Sequence, residues 1–259
     1  MPSTHAITQP LAEPGIPFPA RTILGVPVRI AGRDEAVAWL LQRLEHGPQT
    51  LLCFANTNLL NILRREKNAA LLSGFLVLND GIGIDIASRM LYGEAFPENL
   101  NGTDFTPALL ERAGPQARVF LFGARAQVVQ RAAEVFAGRH GVRVVGVQDG
   151  YSWSAAPDEL IDRINQSGAN ILLVALGNPA QERWMRDNAH RLRANLIVGV
   201  GALFDFTAGV VSRAPRAVQA LRLEWVYRLA QEPRRLGRRY SIDLLAFLGA
   251  VLAQRSLGR

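Results

Sequence analysis

The sequence predicts an α/β protein built on a mainly parallel sheet, with a basic helical appendage at its C-terminal end. Three observations carry that reading. Short apolar, β-branched-rich runs alternate with helical patterns from residue 22 to about residue 210. Polar and glycine residues gather where the apolar runs end. Ten arginines fall within residues 211–259, against Glu224, Glu232 and Asp243 as the only acids there, whereas residues 1–210 hold 19 basic and 19 acidic side chains.

Taken in order, residues 1–20 carry five prolines and no basic segment leading into a long apolar stretch, so they read as a disordered leader and not as a secretion signal. Strands are expected at 22–30, 50–55, 75–78, 118–122, 142–147, 171–176 and 196–200. Helices are expected between them, at 34–45, 59–67, 84–92, 104–112, 126–139, 158–166 and 179–192. Strand followed by helix, repeated, gives a Rossmann-like core over residues 21–214, with its ligand beyond the carboxyl ends of the strands near a switch in strand order. After Ala214 the pattern turns helical and basic, with Pro215 and Pro233 marking starts or breaks, so residues 215–259 form the appendage.

Composition excludes several classes. With 49% hydrophobic and 20% charged residues among 259, the chain can bury a full core. Cys53 is alone, so no intramolecular disulfide forms, and His5, His46, His140 and His190 lack metal-ligand spacing. The apolar run Leu244 to Ala253 near the C-terminus is only ten residues, about half a membrane span. A cytoplasmic protein is expected. The net charge of +7 lies wholly in the tail, and Lys67 is the only lysine. Arginines interleaved with Leu221, Trp225, Leu229, Tyr240 and Phe247 suit a membrane surface or an anionic ligand, with a solvated face as the plain alternative.

Nucleotide motifs are incomplete. Gly81-Ile82-Gly83 only begins a dinucleotide fingerprint, and the stretch from Gly199 places Phe204 where a third glycine belongs. A P-loop is excluded because Lys67 follows no glycine-rich loop. The strand-end residues are better candidates: Asn56-Thr57-Asn58, Asn79-Asp80-Gly81, Gly123, Asp149-Gly150-Tyr151, Gly177-Asn178-Pro179 and Gly199-Val200-Gly201, with turn formers and helix caps as the plain alternative. Asp80 has the position of a general base beside glycines that admit a substrate, or else it caps the helix that follows. Asp85 reads as structural or solvated, and Asp104 as a first-turn acid behind a Thr103 cap. Asp205 is either buried and hydrogen-bonded or a contact for a ligand hydroxyl. Asn178 reads as a helix cap, Pro179 as the first helical residue and Gln181 as closing a capping box, at a turn that could also face a diphosphate. No Asp-x-Asp pair is present to hold a divalent metal, so no metal or other cofactor is expected and arginines would have to supply the positive charge.

Several blocks occur together in one order. They are Asn79-Asp80-Gly81-Ile82-Gly83, Asn101-Gly102-Thr103-Asp104, Ala175 to Trp184, Val198 to Phe206, Arg213-Ala214-Pro215, Glu224 to Leu229, and Glu232-Pro233-Arg234-Arg235 with Arg239-Tyr240. Over about residues 22–250 this resembles the WecG/TagA/CpsF glycosyltransferases, and the version at residues 99–104 is most similar to the xanthan-type exopolysaccharide branch. The resemblance implies an inverting hexosyltransferase that moves a sugar from a UDP-sugar donor onto a polyprenyl-diphosphate-linked saccharide, peripheral on the inner face of the plasma membrane. It places the catalytic aspartate on Asp80 and the glutamine of its Pro-x-Gln-Glu block on Gln181. The arginines that close over the diphosphate fall on Arg228, Arg235 and Arg238. Together with the strand-end reading it makes Asn56, Thr57, Asn58, Asn101, Gly123, Tyr151 and Asp205 the remaining substrate-binding candidates. The chain departs from the family in having Asn56-Thr57-Asn58 where many members have Thr-x-Asn, and Asn99 where an arginine is usual.

A non-catalytic nucleotide-sugar-binding partner in a polysaccharide assembly complex is the competing expectation. A nucleic-acid binder is disfavoured, because residues 1–210 are neutral and carry no nucleic-acid motif. The expected partners are therefore the donor, the lipid-linked acceptor and an anionic membrane surface, with a homo-oligomer possible.

Overall fold

The computed structural model describes residues 15–153, 156–212, 215, 226–227, 229, 237 and 241–257. The run at 22–30, expected as one strand, is instead a hairpin: β1 (Ala20–Ile23) pairs antiparallel with β2 (Val26–Arg29). Leu24 and Gly25 between them both take positive φ, 49° and 84°, as a two-residue hairpin turn requires. The apolar pattern hides this turn because only Gly25 is a turn-forming residue. Structure also begins before the expected boundary at residue 20, since Phe18 is buried, meets the Trp39 ring edge-on at 5.7 Å and accepts a hydrogen bond from Arg29 on its carbonyl.

Beyond the hairpin lies α1 (Arg33–His46), then the main sheet. Its strands are β3 (Thr50–Ala55), β4 (Phe75–Asn79), β5 (Arg118–Gly123), β6 (Arg143–Gln148), β7 (Ile171–Ala175) and β8 (Leu196–Gly199). All six are parallel, in the order β4-β3-β8-β7-β5-β6. The intervening helices are α2 (Thr57–Arg65), α3 (Ile82–Tyr92), α4 (Gly102–Ala113), α5 (Ala126–His140), α6 (Pro157–Gln166), α7 (Ala180–Asn188) and α8 (Leu203–Thr207).

Alternation along the strands explains the three-layer arrangement. Leu52, Phe54, Leu76, Leu78, Leu173 and Val198 share one core with α1, α4, α5 and α8. Their neighbours Cys53, Val77, Phe122, Val174 and Ile197 share the other with the hairpin and with α2, α3, α6 and α7. Adjacent strands β3 and β8 thus lead into helices on opposite faces, α2 and α8. That divergence marks the switch in strand order, the place where open parallel sheets generally take their ligands.

The last described helix, α9 (Ile242–Leu257), lies across α2 and α3. Phe247 and Val251 are fully buried in the second core, contributing roughly 1.5–3 kcal/mol each. Asn61 donates to the Asp243 carbonyl at 2.7 Å, Arg65 pairs with the Asp243 carboxylate at 2.6 Å, and Gln254 accepts from Leu24 N–H and donates to the Thr22 carbonyl. Its outer side exposes Ile242, Leu245, Leu252 and Leu257. Among the described residues no helix is long and apolar enough to cross a membrane.

Candidate active site

The carboxyl ends of the six strands form one rim, in which ladder pairing joins β3 to β8 and backbone bonds beyond the strands join the others. Asp80 N–H donates to the Ala55 carbonyl at 2.8 Å, Val200 to Val174 at 2.8 Å, Ala124 to Ala175 at 3.1 Å and Gly150 to Ala124 at 2.8 Å. The turns after β3, β4, β8, β7, β5 and β6 therefore hold fixed positions relative to one another. Asn56, Thr57, Asn58, Asp80, Gly123, Tyr151, Gln181 and Asp205 all fall on or just behind this rim.

Asp80 sits half-buried in the turn from β4 into α3. It does not hold the helix-cap position, which belongs to Gly81, whose φ of 89° suits glycine. Two bonds from the segment before α4 brace the turn on either side. Asn79 donates to the Glu98 carbonyl at 2.8 Å, and Gly81 N–H donates to Asn99 Oδ1 at 2.9 Å. Asn99 is thus a structural brace for the Asp80 turn. Gly83 has a packing role, because a Cβ there would collide with Thr57 Cγ2 where the first turns of α2 and α3 meet. Asp85, expected to be either structural or solvated, is buried at 4% exposure.

Asn56 caps α2 by accepting from Leu59 N–H at 3.0 Å. Thr57 and Asn58 are in that helix's first turn, half-buried at the rim. Asn101, not Thr103, caps α4: its Oδ1 accepts from Asp104 N–H at 3.0 Å and its Nδ2 donates back to the Asp104 carboxylate at 2.9 Å. Asn101 therefore acts behind the rim, where Gly102 also lets α4 pack on Phe54.

The block after β7 departs most from expectation. Asn178 does not cap α7 and Gln181 closes no capping box; Pro179 occupies the cap position after a cis Asn178-Pro179 bond. Gln181, 2% exposed, instead reaches sideways across β8. Its Oε1 accepts from Gly201 N–H at 3.1 Å, and its Nε2 donates to Glu182 Oε1 at 2.8 Å. The same Glu182 oxygen accepts from Asn178 Nδ2 at 2.7 Å. Glu182 is fully buried, and its Oε2 has no hydrogen-bond partner among the described residues. Burial raises its carboxyl to about 7, against the lowering effect of the Gln181 and Asn178 bonds. Burial, and then the Glu182 carboxylate, push the Cys53 thiol on β3 well up, leaving it inert. Sequence reading missed Glu182 because, as the residue after Gln181 at a helix start, it resembled one more favourable first-turn acid.

At the other end of the rim, Gly123 has φ 129° and no room for a Cβ against the Ala175 carbonyl. Asp149 orders the turn after β6 by accepting from Tyr151 N–H at 2.9 Å, Ser152 N–H at 2.8 Å and the Ser152 hydroxyl. These bonds, led by the Ser152 hydroxyl, lower its carboxyl. They present Tyr151 to solvent at 72% exposure, as a ring that a ligand could cover. Asp205 lies half-buried on α8, its carbonyl accepting from Val210 and Val211. Arg228, Arg235 and Arg238 lie outside the described residues. Among those residues no group of three His, Cys, Asp or Glu side chains is placed to hold a metal ion.

The Glu182 environment gives a stability prediction. Between its ordinary value of 4.5 and about 7, the folded protein holds a proton that the unfolded chain has lost. Stability therefore falls as pH rises through that window, by roughly 3 kcal/mol in all. Urea unfolding at pH 5 and pH 8 is expected to show this loss, and Glu182→Gln to remove most of it. An equal loss in the variant would assign the pH dependence elsewhere.

Comparison with known families yields a match over nearly the whole chain. The model of the glycosyl transferase WecG/TagA/CpsF family matches residues 21–259. That span takes in the hairpin from Arg21 onward, all six parallel strands and every residue placed on the rim.

Proposed function

The chain belongs to the WecG/TagA/CpsF family of glycosyltransferases, which act in polysaccharide biosynthesis, and from that premise we propose that it is an inverting, metal-independent transferase. In this reading a UDP-sugar is the donor and a polyprenyl-diphosphate-linked saccharide the acceptor, as in exopolysaccharide assembly. The observation that carries it is Asp80: a half-buried carboxylate at the carboxyl edge of a parallel sheet, in a turn braced by Asn79 and Asn99. Inversion needs one base opposite the leaving group. Asp80 takes the proton of the acceptor hydroxyl as its oxygen bonds to the sugar C1 and the C1–O bond to UDP breaks. Glu182 is unsuited to that step, because at 0% exposure it cannot meet an acceptor.

The departing UDP leaves with its negative charge, and Arg228, Arg235 and Arg238 of the tail supply positive charge in place of a metal. Amides at the first turn of α2 and the side chain of Gln181 supply neutral N–H donors at the carboxyl edge of the sheet. The enzyme works on the anionic inner membrane surface, a placement supported by the tail arginines and by the exposed Ile242, Leu245 and Leu252 of α9. Incubation with a panel of UDP-sugars and a polyprenyl-diphosphate-linked mono- or disaccharide, with the product anomer read by NMR, tests the reading. A product of inverted configuration is expected. Retained configuration would exclude the single-base mechanism, and donor binding without transfer would favour a non-catalytic partner.

A further inference from the structure

We propose that Glu182 is the positioning residue of the site: it aligns the side-chain amide of Gln181, so that Gln181 can only donate toward the ligand. This rests on the transferase reading for its kinetics but not for its geometry. Gln181 is held between two partners whose roles cannot be exchanged. Gly201 N–H can only donate, so the amide oxygen faces it; the Glu182 oxygen accepts, so the amide nitrogen faces that side. The space is equally specific. A Cβ on Gly199 would stand 2.9 Å from Gln181 Nε2 and 3.3 Å from Met185 Sδ, so the side chain crosses β8 only because that residue is glycine. Glu182 Oε1 takes Asn178 Nδ2 as well, tying together the turn after β7 and the first turn of α7. The second N–H of each amide has no partner among the described residues, and Asn178 is half-buried at the rim.

An amide side chain turned over would present an oxygen, and an oxygen repels phosphate or carboxylate where an N–H binds it. Glu182 prevents the turnover. It does so at a cost to folding, with Oε2 left unpartnered in a dry interior. A residue retained for stability alone would not leave that oxygen bare. Its contribution lies in the orientation of its neighbour.

The test is a cycle of variants in the full chain. Glu182→Met removes both acceptor oxygens at nearly constant volume, and Glu182→Gln keeps one. Glu182→Met is expected to lower kcat/KM for acceptor-dependent UDP release at least tenfold without lowering Tm, and Glu182→Gln to recover activity to within about threefold of wild type. In a Gln181→Ala background, Glu182→Met is expected to change kcat/KM less than twofold. An undiminished loss in that background, or a loss that follows a fall in Tm, would overturn the proposal. A second reading needs no substrate: the Gln181 side-chain amide protons in the ligand-free protein, followed by 1H–15N NMR. Two well-separated resonances in wild type that converge in Glu182→Met are expected, and resonances unchanged by the substitution would overturn it. Wild-type protein inactive with every UDP-sugar would count against the transferase reading, and the NMR result would still decide the role of Glu182.

Discussion

Replacing Arg228, Arg235 and Arg238 together by alanine is expected to lower kcat about 10³-fold or more, with a smaller rise in KM for the UDP-sugar. The reasoning starts from the leaving group. A diphosphate departing without a metal must be stabilised by fixed donors, and loss of even one such donor commonly costs about 10² to 10³ in rate. The described rim holds Arg125 at the start of α5, while the tail holds ten arginines within residues 211–259. Substitution is the informative experiment, not deletion. Removing residues 216–259 would take Phe247 and Val251 out of the second core, together with the Asp243 and Gln254 bonds of α9, so lost activity could be lost folding. The triple variant leaves α9 intact. Unchanged kcat would remove the tail from the chemistry and leave it a membrane-binding role alone, which sedimentation with anionic vesicles would register separately.

Asp80→Asn is expected to lower turnover about 10² to 10⁴-fold while leaving UDP-sugar affinity within a few fold. Asparagine matches the carboxylate in shape but cannot accept the hydroxyl proton. The turn itself is braced through Asn79 and the Gly81 N–H, neither of which uses the Asp80 side chain for those bonds, so the backbone should survive the change. A rise in KM alone, with kcat preserved, would make Asp80 a binding residue.

The parallel sheet was legible because its strands, the edge strand β6 apart, are buried on both faces and read as apolar runs, as in Ile171–Ala175. The hairpin was not. Its turn is Leu24-Gly25, and one leucine at positive φ is a tertiary result that no local preference announces. The rim was legible from its polar strand ends, yet the roles within it were not. Asn56 and Asn101 proved to be helix caps, and Asn99 a brace for the Asp80 turn. Gln181 looked like part of a cap because Asn-Pro-x-Gln at a helix start satisfies that pattern. In the structure it bonds instead to Gly201, twenty residues away on a neighbouring strand end. Glu182 is invisible in sequence for a similar reason, since its significance comes from complete burial, which the first turn of a helix seldom implies.

The most direct test of the account is acceptor-dependent UDP release in EDTA, measured side by side for wild type and Asp80→Asn, with UDP-sugar affinity determined for both. The account predicts release by wild type that requires the lipid-diphosphate-linked acceptor, and binding without release by the variant. Release by Asp80→Asn at the wild-type rate would contradict it.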